Sequence, residues 1–179
     1  MAGCKLLNSI KRDCVYKIGG LKRLFLINYD LSNQYVFDSD GVITTITPAS
    51  GEKIYQIDFS DNSASWTDDL ILVSRSQKYR TSTINFQISD LNKDVLNEGD
   101  ALSLGTFTAF VVDRNDTIIC LGRENGLQAT SFNYNSGAAE GDAVSFTTIL
   151  VGNEKELPKL VKNESVITSL VDNVVVLNE

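Results

Sequence analysis

The sequence predicts a mainly β fold, a β-sandwich or partly closed barrel with one short helix. Three observations carry this. Short runs rich in Ile, Val, Thr, Phe and Tyr recur along the chain, and such residues suit a pleated, half-buried surface. Turn-forming clusters separate the runs. The hydrophobic period turns clearly helical near residues 90–99, the best helix in the chain.

In chain order, "LKRLFLINY" (21–29) is a strong β run. "VITTITPASGEKIYQIDFS" (42–60) reads as two strands joined by a turn at Pro48–Gly51, and the uneven spacing of Ile54, Ile57 and Phe59 leaves room for a bulge. "SASWTDDLILVSRSQKYRTSTINFQIS" (63–89) reads as a long hairpin whose second arm alternates at Ile84, Phe86 and Ile88. Next comes the helix, with Asp90 as N-cap, Leu91, Val95 and Leu96 on its apolar side, and Gly99 as its stop. "TFTAFVVDRNDTIICLG" (106–122) is a hairpin turning at "DRND", and "LQATSFNYN" with "AVSFTTILVG" forms another pair. The tail after Pro158 reads as a weak helix near 164–171 followed by a strand, or as an extension that packs on another subunit. This divides the chain into a basic lead (1–20), a β-sandwich domain (21–152) and a C-terminal extension (153–179). About ten strands follow from this count, and a sheet of that kind has edges that must be covered or shared.

Charge is unevenly spread over the 179 residues. The net charge is −7, yet residues 1–30 carry six cations against Asp13 and Asp30, so the rest of the chain stands at −11. An acidic body argues against a DNA-coating protein, which needs a broad basic face to displace counterions. The basic lead reads as a contact with an acidic neighbour or a solvated face, ahead of a contact with nucleic acid. Cys4, Cys14 and Cys120 are an odd set without close spacing, and with no His in the chain neither a zinc site nor a disulfide framework is expected. Cys120, inside "TIIC", reads as a small core residue. No secretory signal and no run of about 20 apolar residues is visible, so no membrane partner is expected.

Catalytic chemistry finds little support. Without His, a Ser-His-Asp or Cys-His arrangement is impossible. Asp68 and Asp69 are adjacent, so in a strand they face opposite sides. Asp58 and Asp61, like Glu140 and Asp142, read as solvated turn carboxylates, and "DRND" lacks the ligand count of a calcium loop. The glycines of "LGRENGLQATSFNYNSG" (121–137) invite comparison with a phosphate loop. No Lys-Ser/Thr pair comes after them and no helix begins there. Asn125-Gly126 instead marks a turn between strands. Trp66, the sole tryptophan, is either an exposed contact residue or half-buried against the sheet. No catalytic, cofactor or metal site is expected.

Three stretches resemble phage tail tube and tail ring proteins, and are similar to tail components of crAss-like phages of Bacteroidetes. They are the lead "CKLLNSIKRDCVYKIGGLKRLFLINY", the central "GEKIYQIDFSDNSASWTDDLILVSRSQKYRTSTINFQIS", and the closing "LGRENGLQATSFNYNSGAAEGDAVSFTTILVG". Together they span most of residues 1–152 as loose patterns, and the tail after Pro158 fits least. The resemblance implies a tail-tube-like β fold and a non-enzymatic virion protein made in the host cytoplasm. It implies a six- or twelvefold ring of identical subunits around a channel between portal and distal tail. Genomic DNA passes through such a channel without specific binding, and an acidic lining avoids phosphate adhesion. Expected partners are the chain itself and adjacent rings, the portal or other virion proteins. Candidate subunit contacts are Trp66, Asp68, Arg75, Tyr79, Arg80, Gln128, Thr130 and Asn133, and candidate inter-ring contacts are Lys5, Lys11 and Arg12. Two alternatives from other classes are a β-sandwich module that binds a glycan or protein ligand, and a tail-associated hydrolase using two carboxylates.

Overall fold

The computed structural model describes residues 9–12, 14–59, 63–89 and 91–172. Its fold is mainly β. Among the described residues eleven strands join one mixed sheet, and two helices accompany them. The central pair is β1 (Leu21–Asn28) and β7 (Thr106–Asp113), antiparallel along nearly their whole length. Both have near-continuous apolar sequences, LKRLFLIN and TFTAFVVD, because both of their faces are covered. Alternation sorts their side chains into two cores. Leu24, Leu26, Ala109 and Val111 join one cluster, with Ile84, Phe86 and Leu150. Phe25, Ile27, Phe110 and Val112 join the other, with Ile43, Cys120 and Ile167.

The rest of the sheet branches from this pair. β4 (Ile54–Ile57) lies outside β1. On the other edge of β7, β8 (Ile118–Leu121) takes residues 109–112 and β9 (Leu127–Asn135) takes residues 106–107. From β8 the sheet continues through β11 (Lys159–Val161) and β3 (Ile43–Thr47) to β2 (Gln34–Phe37). From β9 it continues through β10 (Ser145–Glu154) and β6 (Lys78–Ile88) to β5 (Ala64–Leu72). The two wings fold over opposite faces of β1 and β7, giving the layered sandwich expected of such a sequence.

The 63–89 hairpin forms as expected, in register from Ala64↔Phe86 to Leu72↔Lys78. The "DRND" turn forms too. Asp113 Oδ1 accepts from the amides of Asn115 at 2.8 Å and Thr117 at 2.7 Å, and Asp116 takes the left-handed conformation at φ 62°. Strand β4 pairs without a register shift, so the bulge considered there is not found; the bulges lie in the β1–β7, β2–β3 and β9–β10 pairings.

The helix differs from expectation. Asp90 lies outside the described residues. Helix α1 (Lys93–Leu104) is capped by Asn92, whose side chain accepts the Val95 amide at 2.9 Å. Gly99 does not stop it, since α1 runs on to a cap at Gly105. Gly99 is buried, and a Cβ there would stand 3.1 Å from the Phe132 ring. Glycine serves close approach of helix to sheet here, which outweighs its poor helix propensity. A second helix, α2 (Ser165–Thr168), stands within the weak helical stretch of the tail. Ile167 of α2 and Val161 of β11 are buried in the second core, so residues 159–171 are packed into the body. The strand expected after α2 falls outside the described residues.

Candidate subunit interface

Strand β5 is an edge. It pairs with β6 on one side only, leaving a nine-residue row of backbone groups without a strand neighbour among the described residues. The other edges are smaller. β2 has four residues, and β4 is partly closed where Ile54 exchanges backbone hydrogen bonds with Leu170 and Asp172. Strand β10 ends opposite Arg80, so the pairs Ile71↔Tyr79 and Leu72↔Lys78 project past the sheet. At this projecting end Leu72 and Val73 are 65% and 56% exposed, and Leu70, at its base opposite Arg80, is 55% exposed. A two-stranded arm with an open edge and three exposed aliphatic residues is surface suited to a protein partner.

The residues singled out from the sequence do not form one patch. Trp66, Asp68 and Arg80 lie on the inner side of the hairpin, in line with buried Ala64, Ile84 and Phe86. Trp66 is half-buried and packs on the first core, which resolves the choice between the two readings of it. Asp68 and Arg80 bond each other, Arg80 Nε donating to Asp68 Oδ2 at 2.6 Å, with Ser82 Oγ adding a hydrogen bond at 3.2 Å. Asp69 is exposed on the opposite side, as strand geometry requires. Arg75 stands exposed at the arm's tip, and Tyr79 points to the outer face. Gln128 and Asn133 share that outer face on β9, while Thr130 falls at the bulge and donates to Ile149 O at 3.3 Å. The outer face is thus polar, with Thr81, Thr83, Asn85 and Gln87 alternating along β6. Of the lead, Lys11 and Arg12 are exposed and Lys5 lies outside the described residues.

The glycine-bearing turn at 122–126 joins β8 to β9 as expected of a turn. The strands beside it do not form a hairpin, however, since each pairs with its own part of β7. Gly126, at φ 75°, lets the chain make this step, and its N–H donates to Gly122 O at 3.2 Å. The turn lies flat on β10 because Gly152 has no side chain; a Cβ there would meet Gly126 O at 2.4 Å. The amides of Glu124 and Asn125 consequently converge on one carboxylate oxygen of Glu154, each at 3.2 Å. This is an anion nest of backbone N–H groups, and its anion is the protein's own. Glu154 is only 7% exposed, and burial raises its pKa above the ordinary glutamate value despite those two hydrogen bonds.

Around the nest the charges are paired. Arg123 bonds Glu124 at 2.8 Å and also Glu156, and its guanidinium lies 5.6 Å from the Phe37 ring centroid. Burial pushes Glu156 up, but hydrogen bonds from Lys159 and Arg123 outweigh it and hold the carboxyl below its usual range. Cys120 is buried, and burial raises its thiol far above the range of a nucleophile. Burial likewise raises the Tyr35 phenol to about 12. These groups clasp the β8–β9 turn to β10, β11 and β2. Sequence reasoning misses Glu154, although it falls on the buried alternation of Phe146, Thr148, Leu150 and Gly152. Among the described residues no three His, Cys, Asp or Glu side chains are grouped to hold a metal ion, and no helix is long and apolar enough to cross a membrane. No protein family, curated protein or solved structure matches the chain.

Proposed function

We propose that this chain is a structural protein of a phage tail, assembling as a homo-oligomeric ring around a DNA channel between the head and the distal tail. The observation that carries the self-association is the β5–β6 arm, an open nine-residue edge ending in exposed Leu70, Leu72 and Val73. Edge strands left open in one copy are satisfied by a neighbour in a head-to-tail arrangement, and a head-to-tail contact that closes makes a ring. The charge distribution supports the channel. A body at −11 repels phosphate, so DNA slides past it. The position in the tail, the virion location and the six- or twelvefold symmetry rest on the sequence resemblance. The half-buried Trp66 and the self-paired Asp68 and Arg80 leave the arm without the clustered exposed aromatics of a glycan platform. Negative-stain electron microscopy of the purified full chain tests the proposal. Annular particles with a central channel are expected, and a field of single small particles would overturn it.

A further inference from the structure

The projecting end of the β5–β6 arm differs from the body in charge. Residues 70–80 include Arg75, Lys78 and Arg80 and no acid, on a body that stands at −11 overall. Arg80 is neutralised by Asp68. Arg75 and Lys78 are exposed, and neither has an ion-pair partner among the described residues. Lys78 stands directly across from Leu72, and Leu70 lies two residues back on the same side of the hairpin. The arm therefore ends in a cation set among exposed leucines.

Helix α1 presents the converse surface. It carries Asp94, Glu98 and Asp100 against Lys93, and all four are exposed. Gly99 faces Phe132, which leaves Leu96, Asp100 and Leu104 in one row along a flank, spaced i, i+4 and i+8. Leu96 and Leu104 are 60% and 86% exposed. Lys93 lies about 10 Å from Asp100 along the helix axis, away from the row. Asp100 has no hydrogen-bond or ion-pair partner among the described residues. The exposed turn carboxylates Asp30, Asp38 and Asp142 differ, since each accepts amides of its own turn. The row on α1 is thus an unpartnered carboxylate between two exposed leucines.

The two surfaces cannot meet within one copy. α1 contacts the β9–β10–β6–β5 wing at Phe132, which is level with Thr148, Phe86 and Ala64. From there Leu72 is three strands across, about 14 Å, and eight residues along, about 26 Å. Surfaces at different places on one chain join copies head-to-tail, and such a contact propagates until a ring closes. Two acidic copies repel except where a basic patch of one meets an acidic patch of the other.

We infer that the end of the β5–β6 arm of one copy docks on the exposed flank of α1 of the next. Leu70 and Leu72 pack on Leu96 and Leu104 and supply the apolar area, and Lys78 meets Asp100 and fixes the register. Arg75 at the tip adds to the positive field that steers the approach. This inference rests on the ring reading and names the joint that builds it.

Sedimentation velocity of the full chain tests the joint by exchanging the charged pair. Lys78 and Asp100 are both exposed, and a lysine toward the C-terminal end of α1 suits the helix dipole. Lys78→Glu, Asp100→Lys and the combined variant should therefore keep the wild-type circular dichroism. Each single reversal is expected to raise the concentration at half assembly by about tenfold or more, and the combined variant to return to within about threefold of wild type. A single variant that assembles at the wild-type concentration, or a combined variant as weak as the singles, overturns this joint and leaves the ring reading intact. A wild-type chain that stays monomeric overturns both.

Discussion

Replacing Glu154 probes the clasp that the sequence hid. In Glu154→Ala the amides of Glu124 and Asn125 lose their shared acceptor. An unsatisfied buried donor costs about 1–3 kcal/mol. The turn is partly exposed, so water recovers some of this for each amide, and a loss of about 2 kcal/mol in all is expected. With a urea slope of about 2 kcal/mol/M, the midpoint falls by about 1 M. Glu154→Gln keeps an acceptor oxygen and should stay within about 1 kcal/mol of wild type at neutral pH. The two also separate by pH. Burial raises the Glu154 pKa above 4.5 in the folded chain, so the folded state holds the proton more tightly than the unfolded one. Its contribution is fully present below the unfolded value and is lost as pH rises through the raised folded value. Wild type should therefore lose stability relative to Glu154→Gln as pH rises from 4 upward. Urea unfolding followed by Trp66 fluorescence at several pH values reads this out, since the sole tryptophan packs on the first core. The reasoning fails if Glu154→Ala unfolds at the wild-type midpoint, or if wild type gains on Glu154→Gln as pH rises.

The same assay checks three further expectations, and sedimentation a fourth. Gly152→Ala forces a Cβ toward Gly126 O, an approach of 2.4 Å against backbone, and should cost about 1–3 kcal/mol as overpacking does. Gly99→Val pushes α1 off Phe132 by the same mechanism and should lower the midpoint, even though valine is the better helix former. Arg80→Met strands Asp68, whose side chain is 8% exposed, and should cost about 1.5–3 kcal/mol, the worth of a charge-assisted hydrogen bond. Leu70→Asp sits on exposed surface and should leave the chain folded by circular dichroism while abolishing the assembled mass in sedimentation.

What is legible in the sequence has a local cause. The strong strands β1, β6, β7, β9 and β10 are visible because covered faces require apolar runs or clean alternation, and the "DRND" turn because Asp113 caps its own loop. Strands β2 and β11 escape notice because "QYVF" and "KLV" are too short to show a period, and β11 pairs with β8 and β3, which lie far from it in the chain. Gly99 misleads because its local meaning is a helix stop, while its meaning in the fold is clearance for Phe132. The Asn125-Gly126 turn is legible, but the partner choice of β8 and β9 depends on how β7 divides its edge. The Glu154 clasp spans 29–30 residues to the turn it holds, so it emerges only once β10 lies beneath that turn. The candidate interface is legible as a hairpin but not in its exposure. The projecting end beyond Arg80 exists because β10 stops there, and nothing in the hairpin's own residues marks that point.

Native mass spectrometry of the full chain, sprayed from volatile buffer near neutral pH, measures the central claim most directly. A single closed assembly is predicted, at an integral multiple of the 19.7 kDa subunit and with six or twelve copies as the resemblance implies. A spectrum holding only the 19.7 kDa monomer across micromolar concentrations would contradict it.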